Sequence, residues 1–133
     1  MNFFMPMFPP TKTQQEHKVK VVNGKPIFYE PRELANARLK IRDSLAAHVP
    51  DHPFTGGIEL QVMWIFHTDD DKKEGKYRIT KPDTDNLQKM LKDEMTKLGF
   101  WKDDAQVCCE HIEKFWSAIP GIFIRIEKAK YES

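Results

Sequence analysis

At 133 residues, with 40% hydrophobic and 31% charged side chains, the chain has the size and composition of one folded domain, not of a disordered or fibrous protein. Its 21 basic and 20 acidic residues leave a net charge of +1, which excludes a global electrostatic pull on a polyanion; any such attraction must come from local segregation of charge. No run of about 18 apolar residues occurs, so no spanning helix is expected, and the adjacent pair Cys108-Cys109 lacks the spacing of a zinc site or a disulfide framework, which suits a reducing cytoplasm.

Met1–Pro10 is apolar but short and carries no basic lead, so it is not read as a signal peptide. Phe3–Phe8 is predicted as a first strand stopped by Pro9-Pro10, and Pro6 allows it only an edge position or an irregular segment. Thr11–Lys20 is polar, with Lys12, Lys18 and Lys20 partly offset by Glu16, and reads as a loop. Val21–Phe28 reads as a small hairpin turning at Asn23-Gly24. Pro31–His48 is a predicted helix: Pro31 suits the first position, Glu33 complements the dipole, and Leu34, Ala37, Ile41 and Leu45 form one stripe. Arg32, Arg38, Lys40 and Arg42 give that helix a basic, solvated surface.

Val49–Gly57 is a loop, and Ile58–His67 alternates as a strand, with Ile58, Leu60, Val62, Trp64 and Phe66 on one face. Thr68–Thr80 is a charged loop running from Asp69-Asp70-Asp71 to Lys72, Lys73, Glu74, Lys76 and Arg78. Phe100 and Trp101 dock the end of the next helix on the core. Val107–Trp116 is strand-like; Pro120-Gly121 turns it into Ile122–Glu127, an antiparallel hairpin pattern, and Lys128–Ser133 frays. These elements predict an α+β single domain over 1–133, a mixed sheet flanked by two main helices.

The stretch Lys81–Gln106 carries the chemistry. Pro82 keeps Lys81 out of the helical region, so Asp83 and Asp85 are expected to lie in an extended entry and converge on one point. Asp85 is the expected N-cap of a helix over Asn86–Leu98, with Gln88 three residues on as a capping-box variant. Leu87, Met90, Leu91, Met95 and Leu98 form its apolar stripe, Gly99 its stop, and Lys89 lies one turn beyond Asp85 on the opposite face. Close carboxylates repel and require a proton, a cation or hydration between them. Oxygen donors without Cys or His suit Mg²⁺ or Mn²⁺, which polarise phosphates and activate water. The bland alternative is that Asp85 caps the helix, Asp83 is solvated and Asp103-Asp104 is a polar turn.

Pro-Asp-Thr-Asp-Asn-Leu-Gln-Lys (82–89), followed by Leu-Gly-Phe-Trp-Lys-Asp-Asp-Ala-Gln-Val (98–107), resembles the signature of RusA-type Holliday junction resolvases, the crossover junction endodeoxyribonucleases. The match is dense over Lys81–Val107 and looser elsewhere. The resemblance implies a divalent-metal site on Asp83, Asp85 and Asp104, a catalytic lysine at Lys89, and Asp103 as a lesser candidate. It also implies four-way junction DNA as substrate in recombination and repair, Mg²⁺ as cofactor with Mn²⁺ as substitute, paired nicks and an interlocked homodimer working in the cytoplasm. On that reading Lys72, Lys73, Lys76, Arg78 and Lys81 contact the DNA backbone, because an acidic site must be flanked by cations to hold a phosphodiester strand. The basic helix and Lys114 are supporting candidates. Three rival readings remain: a junction-binding module without catalysis, a small metal-dependent phosphohydrolase, and an interaction protein whose acids merely cap a helix.

One difficulty is geometric. A helix over Asn86–Leu98 spans roughly 20 Å, and Gly99–Asp103 covers at most about 18 Å. Asp104 therefore meets Asp83 and Asp85 only if the chain doubles back fully extended, or if it completes the site of a partner.

Overall fold

The computed structural model describes residues 1–13, 18–29 and 32–133. Along them run β1 (Asn2–Pro6), β2 (Lys18–Val22), β3 (Lys25–Tyr29), α1 (Arg32–Ala46), β4 (Ile58–His67), α2 (Thr84–Leu98), a 3₁₀ turn (Asp104–Gln106), β5 (Val107–Ser117) and β6 (Gly121–Lys128). The expected loop over Thr11–Lys20 is corrected at its end, where Lys18 opens β2; Glu16 and Pro31 lie outside the described residues.

β4 organises the sheet. It buries Ile58, Leu60, Val62, Trp64 and Phe66 on one face, while the residues between them stay partly covered, as a period of two dictates. The strand order is β1-β6-β4-β5, with β4–β5 parallel and the other two pairings antiparallel. The sheet is mixed, as expected, but the expected hairpin of the last two strands is not formed. β4 lies between β5 and β6, and Ala118–Pro120 steps over its end. The reason is connectivity: α2 is the crossover that a parallel β4–β5 pair requires, so β5 is laid on one side of β4 and β6 finds its antiparallel partner on the other. Pro6 ends the edge strand β1, where a missing amide is tolerated.

The buried face of β4 packs with Ile122, Ile124 and Ile126 against α1 (Leu34, Ile41, Leu45) and α2 (Leu87, Met90, Leu91, Met95), and Phe100 and Trp101 close the core. Each such side chain contributes about 1.5–3 kcal/mol by leaving water. Between the helices Glu94 is fully buried and satisfied by Arg42 Nε at 2.7 Å and Lys97 Nζ at 3.4 Å, with Arg38 Nη1 at 3.7 Å. Part of the basic face of α1 thus faces a buried carboxylate and not solvent. Burial raises the Glu94 carboxyl, but the hydrogen bonds and charges of Arg42 and Lys97 outweigh it, and the net shift is downward.

α2 ends as the sequence predicts. Gly99 takes φ 88, its amide bonds Thr96 O, and the Phe100 amide bonds Met95 O, a Schellman closure that satisfies the last carbonyls and drops Phe100 into the core. In the β2–β3 hairpin, Asn23 and Gly24 have φ 53 and 75, the paired positive angles of a type I′ turn. Among the described residues no helix is long and apolar enough to cross a membrane.

Candidate active site

α2 begins at Thr84, two residues before the predicted start, and Asp83 is its N-cap in place of Asp85. Asp83 is extended at φ −73 and ψ 148, and its carbonyl accepts the first helical bond from the Leu87 amide at 3.1 Å. Its carboxylate makes no capping bond. Asp85 follows in the first turn, where the dipole favours an anion. The Gln88 capping box fails because Gln88 is turned inward: it accepts Trp64 Nε1 at 2.8 Å and donates to Glu110 at 3.0 Å. Glu110 in turn takes Lys92 Nζ at 2.6 Å, so one polar chain ties β4, α2 and β5 together. Asp83, Asp85 and Lys89 are all exposed, and no described residue forms a hydrogen bond or ion pair with any of their charged groups. Two carboxylates and an ammonium thus stand on one rigid helix start with their valences unused.

The turn entering α2 is held from beneath by two cations. Lys114 Nζ donates to Thr80 O and Pro82 O, each at 2.7 Å. Arg78 donates through Nε to Lys81 O at 3.1 Å and again through a terminal amino group. Its guanidinium lies 4.3 Å from the Phe66 ring centre and 4.5 Å from that of Trp116. Its amide bonds Lys114 O at 2.9 Å. Lys114 is paired in register with Trp64, on the helix-covered side of the sheet. Burial pushes the Lys114 ammonium below the ordinary lysine value, Arg78 adds to this, and the charge of Asp83 partly offsets it. Burial likewise lowers Arg78.

The loop over 68–80 is pinned to β5: the amides of Gly75 and Trp116 bond Trp116 O and Lys76 O. Lys72, Lys73 and Lys76 on this ledge, and Lys81 just after it, are exposed, with Lys73 Nζ 5.0 Å over the Trp116 ring. Arg78 is turned to its own chain and is half-buried.

Asp103 and Asp104 have different surroundings. Asp103 caps the 3₁₀ turn by accepting the Ala105 amide at 2.9 Å. Gln106 Oε1 accepts the amides of Lys102 and Asp103, both at 3.0 Å, and its Nε2 donates to Phe54 O and Gly56 O, both at 3.1 Å. Trp101 Nε1 bonds Thr96 at 2.7 Å. The Trp-x-Asp-Asp-Ala-Gln stretch is therefore a rigid bracket that leaves Asp104 exposed, its carboxylate without a hydrogen bond to a described residue.

The two acidic ends are not brought together within the chain. Asp104 precedes Val107 at the start of β5, whereas Asp83 adjoins Lys114, about 23 Å further along that strand at about 3.3 Å per residue. Gly99–Asp103 does not double back. Among the described residues no group of three or more His, Cys, Asp or Glu side chains is placed to hold a metal ion. Asp83 and Asp85 fit a hard cation as oxygen donors with open valences, but they supply two of the three expected acids.

Reading the sequence alone missed the Arg78–Lys114 pair and the bracket role of Gln106. The available signal was Lys114 itself, a lysine on the same strand face as Ile112 and Trp116, where an ammonium needs acceptors.

The family model described as "Endodeoxyribonuclease RusA" matches residues 7–127. The chain is also 35% identical over 97 residues to a crossover junction endodeoxyribonuclease rusA of Lactococcus phage r1t, covering 71% of this chain and 72% of that protein. With a family match across nearly its whole length and exposed, unsatisfied acids at both ends of α2, the chain belongs to the RusA endodeoxyribonuclease family.

Proposed function

We propose that this protein is a structure-selective endodeoxyribonuclease that resolves four-way DNA junctions by Mg²⁺-dependent phosphodiester hydrolysis, cutting in paired nicks as a homodimer in the cytoplasm. The observation that carries the reading is the pair Asp83 and Asp85 displayed at the α2 start with Lys89 one turn on, all exposed and with charged groups free of hydrogen bonds to described residues. Unpartnered acids cost repulsion that a cation relieves. A bound Mg²⁺ or Mn²⁺ supplies polarisation of the phosphate and activation of water. Asp83 and Asp85 hold it from one protomer and Asp104 from the partner, since the chain keeps its own Asp104 at the far end of β5. Lys89 neutralises charge on the phosphate oxygens, and Lys72, Lys73, Lys76 and Lys81 draw the strand toward the acids.

A two-fold dimer matches the two-fold symmetry of a junction and sets two sites on opposed strands. The open face of the sheet, where Phe4, Met63, Ile65, Phe115 and Phe123 are only partly covered, offers a second copy apolar area to bury. The test is a labelled synthetic four-way junction incubated with and without Mg²⁺ and run on a denaturing gel. Expected are symmetric nicks with metal, none without it, and none from Asp83→Asn, Asp85→Asn or Lys89→Ala protein that still binds the junction. Retention without nicks by the unaltered protein overturns catalysis, and equal turnover of unbranched DNA or nucleotides overturns the junction assignment.

A further inference from the structure

Three consecutive carbonyls, of Thr80, Lys81 and Pro82, point at two cations immediately before the first acid of the site. That arrangement is costly unless the turn must be held. Lys114 and Arg78 are both partly withdrawn from water and carry like charges, and Arg78 lowers the Lys114 ammonium. An ordinary surface turn solvates its carbonyls; here two charged side chains replace that water, with the stronger hydrogen bonds that ionised donors make. The Pro82 carbonyl belongs to the same peptide plane as the Asp83 amide, so fixing one fixes the direction in which the Asp83 Cα leaves the turn. Phe66 and Trp116 in turn hold the guanidinium between ring faces, so the clamp is anchored on the rigid ends of β4 and β5.

Resting on the proposed metal reading, we infer that Lys114 and Arg78 are positioning residues that act through the backbone of residues 80–82 to set the Asp83 and Asp85 carboxylates for a divalent cation. Neither is a phosphate contact. Lys114 gives both of its hydrogen bonds to carbonyls of its own chain, and Arg78 is occupied by Lys81 O and two rings. A DNA-contacting lysine would set affinity for the junction; a positioning lysine sets affinity for the metal.

The experiment uses the full-length protein with Lys114→Met, Lys114→Arg and Arg78→Lys. Three readouts are taken: amide exchange across 79–87 without metal, Mn²⁺ affinity by electron paramagnetic resonance titration, and junction affinity without metal beside single-turnover cleavage with it. Lys114→Met is expected to speed exchange at the entry turn while leaving β4 unchanged, to weaken Mn²⁺ binding and slow cleavage by about 10–100-fold, and to leave junction affinity unaltered. Lys114→Arg, which retains two donors, recovers most of the Mn²⁺ affinity. Unchanged exchange and Mn²⁺ affinity in Lys114→Met overturn the inference, as does a loss of junction affinity that accounts for the whole loss of cutting. Should Lys114→Met fail to fold, Arg78→Lys decides by the same exchange and Mn²⁺ criteria. Unaltered protein that binds Mn²⁺ but cuts no junction overturns the functional reading alone, and the exchange and Mn²⁺ results still judge the clamp.

Discussion

Asp103 and Gln106 close one turn from its two ends: the Asp103 carboxylate takes the Ala105 amide at 2.9 Å, and Gln106 Oε1 takes the Asp103 amide at 3.0 Å. The neighbouring Asp104 has no such duty. Asn caps as well as Asp, so Asp103→Asn is expected to fold and to keep most of the cutting rate. Asp104→Asn is expected to fold equally well and to lose roughly two orders of magnitude or more of cleavage, since a metal's charge stabilisation is worth several kcal/mol. Thermal melts beside junction cleavage separate the two; equal losses of cutting for both variants would refute the division of labour.

The separation of Asp104 from Asp83 along β5 makes the site depend on a second copy. Asp85→Asn and Asp104→Asn chains, each inactive alone, are expected to recover about a quarter of the cutting when mixed and allowed to exchange subunits. Half of randomly formed dimers carry both variants, and each of those has one complete site. No recovery in proven heterodimers removes the composite arrangement.

Lys72 and Lys76 stand exposed on the pinned loop that leads into the acids. Replacing either with Ala is expected to weaken junction binding and to lower the slope of log affinity against log salt by about 1. Cleavage of saturated junction should be unaffected. Filter binding across a salt series reads the slope, and an unchanged slope takes that lysine out of the interface.

Glu94 provides a pH-dependent part of stability. Its folded value lies below the ordinary glutamate value, so the contribution is complete above the ordinary value and is lost as pH falls through the lowered one. Arg42→Ala is expected to cost about 3 kcal/mol by stripping a partner from a fully buried carboxylate. Glu94→Gln should flatten the acid limb of stability. Urea denaturation from neutral to acid pH measures both, and an acid limb as steep in the variant as in the parent contradicts the assignment.

Gln88 bridges Trp64 and Glu110 inside the protein. Gln88→Leu is expected to lose about 1–3 kcal/mol, because the Trp64 N–H is left buried without an acceptor. Cutting per folded molecule should stay near the parent value, read by urea midpoint and by cleavage below it.

The local grammar of this chain was readable from its residues. Alternation in Ile58–His67, the Asn23-Gly24 turn, the Leu87-to-Leu98 stripe and the Gly99 stop are set by side-chain period and backbone sterics within a few residues. The acids and their motif were legible for the same reason, as a short contiguous pattern. Three features were decided only by tertiary structure. Gln88 was drawn inward by Trp64, and the helix start moved to Thr84 with Asp83 as its cap. β5 was laid parallel to β4 by the α2 crossover, so the predicted hairpin of the last two strands gave way to β4 standing between them in the mixed sheet. That same crossover carried Asp104 to the far end of β5 and set Lys114 beneath Asp83. Which residues meet across about thirty positions depends on how whole elements pack, and local spacing holds no information about it.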